Sequence, residues 1–269
     1  MRADQETYTH GHAASVLRSH ANRTVANSAA YLIPRLRAGA HVLDVGCGPG
    51  TITADLAARV APGAVIGIEP TPGPLADARA HAAAVGAKNA TFAVGDAYAL
   101  DYPDGAFDVV HAHQVLQHLG DPVAALREML RVCAPDGVVA ARDADYAAMT
   151  WYPADPWLDR WLAVYRAVAH GNGAEPDAGR RLLAWANAAG AAEVTASASV
   201  WCYATPESRA WWGGMWADRI LTSAITAQAV EGGYADDAEL QSISAAWRSW
   251  AARGDAWFAI IHGEVLCLP

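Results

Sequence analysis

The residues with the clearest chemical use in this 269-residue sequence are Asp44, Gly46, Gly48 and Gly50. They stand at every second position between the apolar stretch Val42, Leu43, Val45 and a run of helical spacing at 51–60. Three such glycines let the backbone turn with positive φ and let a ligand approach where a Cβ would stand. The helix that follows would offer it free N–H groups. The chemistry implied is the holding of a nucleotide-type cofactor on backbone amides. Spacing narrows the kind: a dinucleotide fingerprint needs a third glycine where Thr51 stands, and a Walker loop needs a Gly-Lys-Ser/Thr that does not follow. Three further points fall where successive strands should end. Glu69, 25 residues after Asp44, could accept hydrogen bonds from both hydroxyls of a ribose. Gly95-Asp96-Ala97 follows the apolar residues at 91–94, and the segment from His111 to Leu119 follows those at 107–110.

Those residues need strands to carry them, and the hydrophobic periodicity supplies strands in alternation with helices. Strands are expected at 41–45, 64–69, 90–94, 107–112, 138–143, 192–204 and 257–267. Helices are expected at 51–60, at 74–85 and from Asp121-Pro122, an N-cap acid followed by proline at the first helical position. Pro62-Gly63 and Pro135-Asp136-Gly137 read as turns. The alternation implies an α/β, doubly wound, Rossmann-like sheet of seven mostly parallel strands, with ligands at their carboxyl ends and a helical lid. The expected division is 1–40 as an N-terminal helical segment of the lid, 41–150 as the α/β core and 151–175 as a lid helix; 176–204 adds a core helix and strand, 205–255 two lid helical segments, about 206–229 and 236–252, and 256–269 the last core strand. In the first segment an apolar stripe from Val16 to Leu32 predicts a helix over 12–33. All 11 tryptophans lie between Trp151 and Trp257.

Composition removes several functions. A net charge of −9 with a single lysine, Lys88, opposes a nucleic-acid partner, because phosphate binding relies on clustered Lys and Arg. Charges or glycines interrupt each apolar run before membrane-spanning length, and the start, Met1 to Glu6, has no signal-peptide character, so a cytoplasmic protein without membrane insertion is expected. Cys47, Cys133, Cys202 and Cys267 show no metal or disulfide spacing.

Taken together, Asp44-x-Gly46-x-Gly48-x-Gly50, Glu69, Asp96 and Val115-Leu116-Gln117-His118-Leu119 resemble the class I S-adenosylmethionine (SAM) dependent methyltransferases, in particular their ubiquinone/menaquinone-biosynthesis type (methyltransferase type 11). The resemblance spans 41–143 and continues to 204 as an alternation of elements. It implies SAM as the cofactor, with Gly46, Cys47, Gly48 and Gly50 under its methionine part and Asp44 helping to hold the amino-acid end. It places Glu69 and Pro70 at the ribose, Asp96 at the adenine amino group, the backbone of Ala97 against the ring, and His113 and Gln114 beside the sulfonium. Members of this type often fold an N-terminal segment over the cofactor, which makes Tyr8 a cofactor contact and His12 a substrate contact. Glu69-Pro70-Thr71 and the opening His111-Ala112-His113 depart from the common pattern. Asp108 matches a recurrent acid whose expected role is structural.

Methyl transfer needs alignment and exclusion of water more than acids and bases, and alignment can supply about 7–11 kcal/mol at best. His113 is the candidate general base, because imidazole titrates near neutrality; a hydrogen-bonded wall is its other reading. His111 and His113 share a strand face without a third ligand in register, so no metal site is expected. Asp143, Tyr146, Trp151, Trp212 and Trp216 are candidate contacts to a small, apolar or aromatic acceptor methylated at O, N or C. A non-catalytic SAM- or ligand-binding protein on the same fold is the alternative. Oligomeric state stays open, a homodimer included.

Overall fold

The computed structural model describes residues 23–269 and arranges them around one eight-stranded sheet. Short, almost wholly apolar stretches give β1 (Val42–Val45), β2 (Val65–Glu69), β3 (Ala90–Val94) and β4 (Phe107–His113). With β5 (Cys133–Ala144) they pair in parallel in the order β3-β2-β1-β4-β5. Strands covered on both faces are expected to read as apolar runs, and the four residues of β1 are all buried. The far side of the sheet comprises β6 (Thr150–Tyr152), β7 (Glu193–Tyr203) and β8 (Trp257–Leu268). β8 runs antiparallel to β5 and β6 on one side and to the full length of β7 on the other.

Helices fill the connections: α1 (Val25–Ser28), α2 (Thr51–Val60), α3 (Gly73–Val85), α4 (Pro122–Val132), α5 (Pro156–Gly171), α6 (Leu182–Ala189), α7 (Pro206–Thr222), α8 (Ala224–Glu231) and α9 (Asp237–Ala252). The start of α4 shows its cap: Asp121 accepts a hydrogen bond from Ala124 N at 2.9 Å, ahead of Pro122. Two apolar cores lie in the sheet half, one including Val25, Leu32, Val42, Leu56 and Val109, the other Leu43, Val110, Leu126, Met129 and Val265. A third, aromatic core joins α5, α7 and α9 to Phe258 of β8.

Four details differ from the sequence pattern. The extra strand is β6, whose three residues are too few to show a period. β5 begins at Cys133 and carries Pro135-Asp136-Gly137 within it, at a register shift between Phe107 and Val109. The helix expected through 206–229 divides at Ser223, whose extended backbone closes α7 by donating to Arg219 O at 3.1 Å. In the described part of 12–33, α1 ends at Ala29, which leaves helical φ/ψ, and a 3-10 stretch over Ala30–Arg35 follows with Pro34 inside it. Among the described residues no helix is long and apolar enough to cross a membrane.

The register decides which side chains meet. Asp44 stands opposite His111, His113 opposite Arg142, Arg142 opposite Glu264, and His262 opposite Ser199. Because side chains alternate along a strand, all of these share one face of the sheet.

Candidate cofactor and acceptor site

At the carboxyl end of β1 the chain turns through Gly46, Gly48 and Gly50, with φ of +69°, +54° and +75°. A Cβ at Gly46 would stand 2.4 Å from Val115 Cγ2, and one at Gly50 would stand 2.9 Å from Ala78 Cβ. These positions therefore require glycine on both conformational and packing grounds. Gly50 is also the N-cap of α2, which has neither a side-chain cap nor an acid in its first turn. That helix end is suited to a ligand's negative group. Cys47 packs against Gly67 of β2, and burial raises its thiol pKa, so its contribution is backbone shape and packing.

Asp44 lies below the turn and is 2 % exposed. Its Oδ2 accepts from the Thr53 hydroxyl at 2.5 Å, and its Oδ1 is 2.8 Å from His111 Nδ1. The acid expected at the amino-acid end of the cofactor is thus turned inward, tying β1, β4 and α2 together beneath the glycines. Glu69 closes the turn from the end of β2: its Oε1 accepts the Gly48 N–H at 2.5 Å. Burial pushes its carboxyl up to about 7 against the pull of that amide, with the Asp44 charge adding to the rise. Pro70 is half-buried beside it. Asp96 accepts from Tyr98 N at 2.9 Å and Ala97 is buried, which puts both in the turn after β3. Asp108 binds Arg37 at 2.9 Å and His41 N at 2.8 Å and is the anchor its sequence position suggests.

At the end of β4, His113 is 4 % exposed, and among the described residues neither ring nitrogen has a hydrogen-bond partner. Burial, aided by Arg23, Arg142, His262 and His111, holds its pKa well below the usual imidazole value. A ring that holds a proton poorly favours the wall reading of His113 over the general base. Gln114 has φ +54°, a conformation that non-glycine residues rarely adopt and that marks functional turns. Its Oε1 accepts from Arg23, and its Nε2 lies 2.9 Å from His262 Nε2.

The acceptor candidates separate. Asp143 is fully buried; its Oδ1 accepts from Gln117 N at 3.1 Å, and among the described residues its Oδ2 has no partner. Tyr146 stacks on Tyr165 at 4.0 Å, and Trp212 on Tyr203 at 4.4 Å. Trp216 is 0 % exposed, enclosed by Trp161, Trp212, Trp247 and Tyr165, and belongs to the lid core rather than to a pocket wall. Trp151 likewise stacks on Phe258 at the edge of that core. Tyr8 and His12 lie outside the described residues. Sequence reasoning missed His262, Arg142 and Trp201, which come together only through strand register. Among the described residues no group of three metal-ligating side chains occurs.

A glycine turn under an acid at the next strand end, on a doubly wound sheet closed by an antiparallel strand, defines a class of nucleotide-cofactor enzyme. A family described as a methyltransferase domain matches residues 36–189. The chain is 35% identical over 98% of its length to a protein of Schizosaccharomyces pombe described as an uncharacterized methyltransferase, covering 96% of that protein. It is 36% identical over 46% of its length to the 2-methyl-6-phytyl-1,4-hydroquinone methyltransferase of a Synechocystis strain, covering 40% of that enzyme. Its fold is similar to that of the YcgJ protein of Bacillus subtilis, with a TM-score of 0.57, 21% identity and coverage of 88% of this chain and 96% of that one. The chain belongs to the class I methyltransferase family, and it is an enzyme whose methyl donor is SAM.

Proposed function

We propose that this enzyme methylates a small, aromatic or apolar molecule held between the carboxyl ends of β4 and β5 and the lid. The observation that carries the reading is the positive-φ turn of Gly46, Gly48 and Gly50 facing the Glu69 carboxylate. These residues fit the donor: the glycines clear room for its methionine part, the uncapped start of α2 suits its carboxylate, and Glu69 can exchange the Gly48 amide for two ribose hydroxyls. Asp96 and Ala97 border the adenine side, with Pro70 between them and the ribose. When bound, the donor supplies an electrophilic methyl group on a sulfonium.

The chain's own residues do the rest by positioning. Asp44, through Thr53 and His111, fixes the glycine turn relative to β4. His113 and Gln114 border the point of transfer as neutral hydrogen-bonding groups, and Tyr146, Trp212 and Asp143 face the acceptor. Their burial supports exclusion of water, which strengthens every polar contact within. An in-line displacement between aligned atoms needs no more than this. The hydroquinone-type acceptor named for one relative supports an aromatic small molecule. The charge of −9 opposes a nucleic-acid acceptor, and four free cysteines favour the cytoplasm. Calorimetry tests the donor side: SAM and S-adenosylhomocysteine should bind, and Glu69→Ala should weaken both by on the order of ten- to a hundred-fold, the loss of hydrogen bonds to a charged group. Equal affinity in wild type and variant would remove Glu69 from the site.

A further inference from the structure

The donor's sulfonium carries a full positive charge, and the turn proposed to border it stands against a buried guanidinium. Val115 packs on the glycine turn, since a Cβ at Gly46 would come within 2.4 Å of its Cγ2. One residue back, Gln114 N donates to Arg142 O at 2.7 Å, and His113 is the register partner of Arg142. The Arg142 side chain is 1 % exposed and shares a face of the sheet with His113 and Asp44. Burial pulls the guanidinium down to about 10 against the pull of Glu264, which leaves it charged at neutral pH.

Glu264 answers that charge. It stands opposite Arg142 in the pairing of β5 with β8, is 5 % exposed, and accepts from Arg142 Nε through Oε1 at 3.2 Å. The edge strand β7 holds it in place: Ser197 donates to Oε2 at 2.8 Å and Ser199 to Oε1 at 2.5 Å, while Ser199 Oγ accepts from Nε and Nη2 of Arg142. Donors on both oxygens suit an ionised carboxylate. Among the described residues Glu264 is the one carboxylate bonded to Arg142. Asp143 points to the other face of the sheet, where it accepts from Gln117 N, and burial pushes its carboxyl up to about 7, so it is the weaker counter-charge. The nearby imidazoles bring no charge, because burial, with the neighbouring guanidinium groups adding to it, keeps His113 and His262 neutral. A buried ion pair is seldom worth more to a fold than apolar residues of its size. One placed this close to the donor turn calls for a reason other than stability.

We propose that Glu264 is the counter-charge that lets the site accept a cationic donor: by neutralising Arg142 it prevents repulsion of the sulfonium, and so it sets the preference for SAM over S-adenosylhomocysteine, whose sulfur is uncharged. The inference rests on the donor-site reading and adds a residue that acts through Arg142 without touching either ligand. Without Glu264 the guanidinium would stand uncompensated beneath the turn, SAM would lose affinity, and S-adenosylhomocysteine would keep its own. The two ligands differ by one methyl group and one charge, so contacts to the adenosine and amino-acid parts cancel in the ratio of their affinities. Charges common to wild type and variant, those of Arg23 and Arg219 included, cancel in the change of that ratio.

Calorimetric titration of SAM and of S-adenosylhomocysteine into wild type and variants tests this. Glu264→Gln should weaken SAM relative to S-adenosylhomocysteine roughly tenfold, the effect of one unit charge about 10 Å away at an effective dielectric constant of about 20. Adding Arg142→Gln to Glu264→Gln should bring the ratio back to within about twofold of wild type, whereas damage to packing would deepen with the second substitution. Ser197 is exposed, so Ser197→Lys leaves the core intact while placing a positive charge beside the same carboxylate; it should lower the ratio at least twofold, and less so at high salt. An unchanged ratio in Glu264→Gln, equal weakening of both ligands, or a double variant no closer to wild type than the single one would overturn the inference. If Glu264→Gln does not fold, an unchanged ratio in Ser197→Lys overturns it instead. Failure of wild type to bind either ligand would overturn the donor-site reading beneath it, whereas tight binding of both with a ratio that none of these variants moves would remove Glu264 alone.

Discussion

The two ends of the site are built on opposite plans. On the donor side the key acids are already satisfied by the chain: Asp44 by Thr53 and His111, Glu69 by the Gly48 amide, and Asp96 by Tyr98 N. On the proposed acceptor side, His113, Arg142 and Asp143 keep buried atoms that have no partner among the described residues. A donor that is the same in every turnover can be met by a turn held in one shape before it arrives, whereas acceptor contacts are completed only by the acceptor. Under the proposed reading, the contrast puts specificity in the polar atoms of β4 and β5 and the aromatic residues beside them, not in the glycine turn.

The largest effect tests where that wall ends and the lid core begins. Trp161 is fully buried, with its ring 4.6 Å from Trp216 and 4.9 Å from Trp247 in edge-on contacts. Trp161→Ala should lower stability by about 3–5 kcal/mol in denaturant unfolding, the range for removing a buried aromatic side chain. Trp257→Ala, at a residue 39 % exposed, should be far milder. If Trp161→Ala instead kept its unfolding midpoint and lost only acceptor binding, the aromatic cluster would be pocket and the contrast would fail.

A second test concerns the donor side and has a definite sign. The Glu69 carboxyl is pushed up to about 7 by burial, so near neutral pH a large fraction of it is protonated. Only the ionised form can accept two ribose hydroxyls at once, so donor affinity should fall as pH is lowered through 7, approaching a tenfold loss per pH unit below it. Binding should release a proton, seen as a buffer-dependent heat in calorimetry. Glu69→Gln should flatten the dependence. A wild-type affinity constant between pH 8 and pH 6 would show that the acid does not titrate against the donor.

How much of this was legible in the sequence follows the same division. Strand-end positions such as Asp44, Glu69 and Asp96 are local: a short apolar run ending in a glycine or an acid announces both the strand and what it presents. The parallel order of the first strands follows from the alternation, and the structure has it. The proposed acceptor side is non-local. His262 meets Gln114 across 148 residues, and Arg142 meets Trp201 because β8 lies between β5 and β7, a pairing that no periodicity encodes. A tryptophan on a helix after residue 150 carries no sign of which face turns inward, so the sequence alone does not separate an acceptor contact at Trp216 from lid core. Along α7, Trp216 and Ile220 are fully buried at a spacing of four, a signal of core packing.

The smallest expected effect is the one that separates two accounts of transfer. If His113 removes the acceptor's proton, His113→Gln should lower kcat by about a hundred- to ten-thousand-fold and change the pH profile, since general base catalysis contributes that much. If the ring is a neutral wall, glutamine preserves a donor and an acceptor in similar space. The loss should then stay below about tenfold, the scale of one neutral hydrogen bond, and the profile should keep its shape. The structure favours the smaller number: His113 is desolvated, faces Arg23 and Arg142, and holds its proton poorly. A fall of a hundred-fold or more with a displaced pH profile would make His113 the base after all, and the acceptor side would then be built, like the donor side, around a group prepared for its task before the ligand arrives.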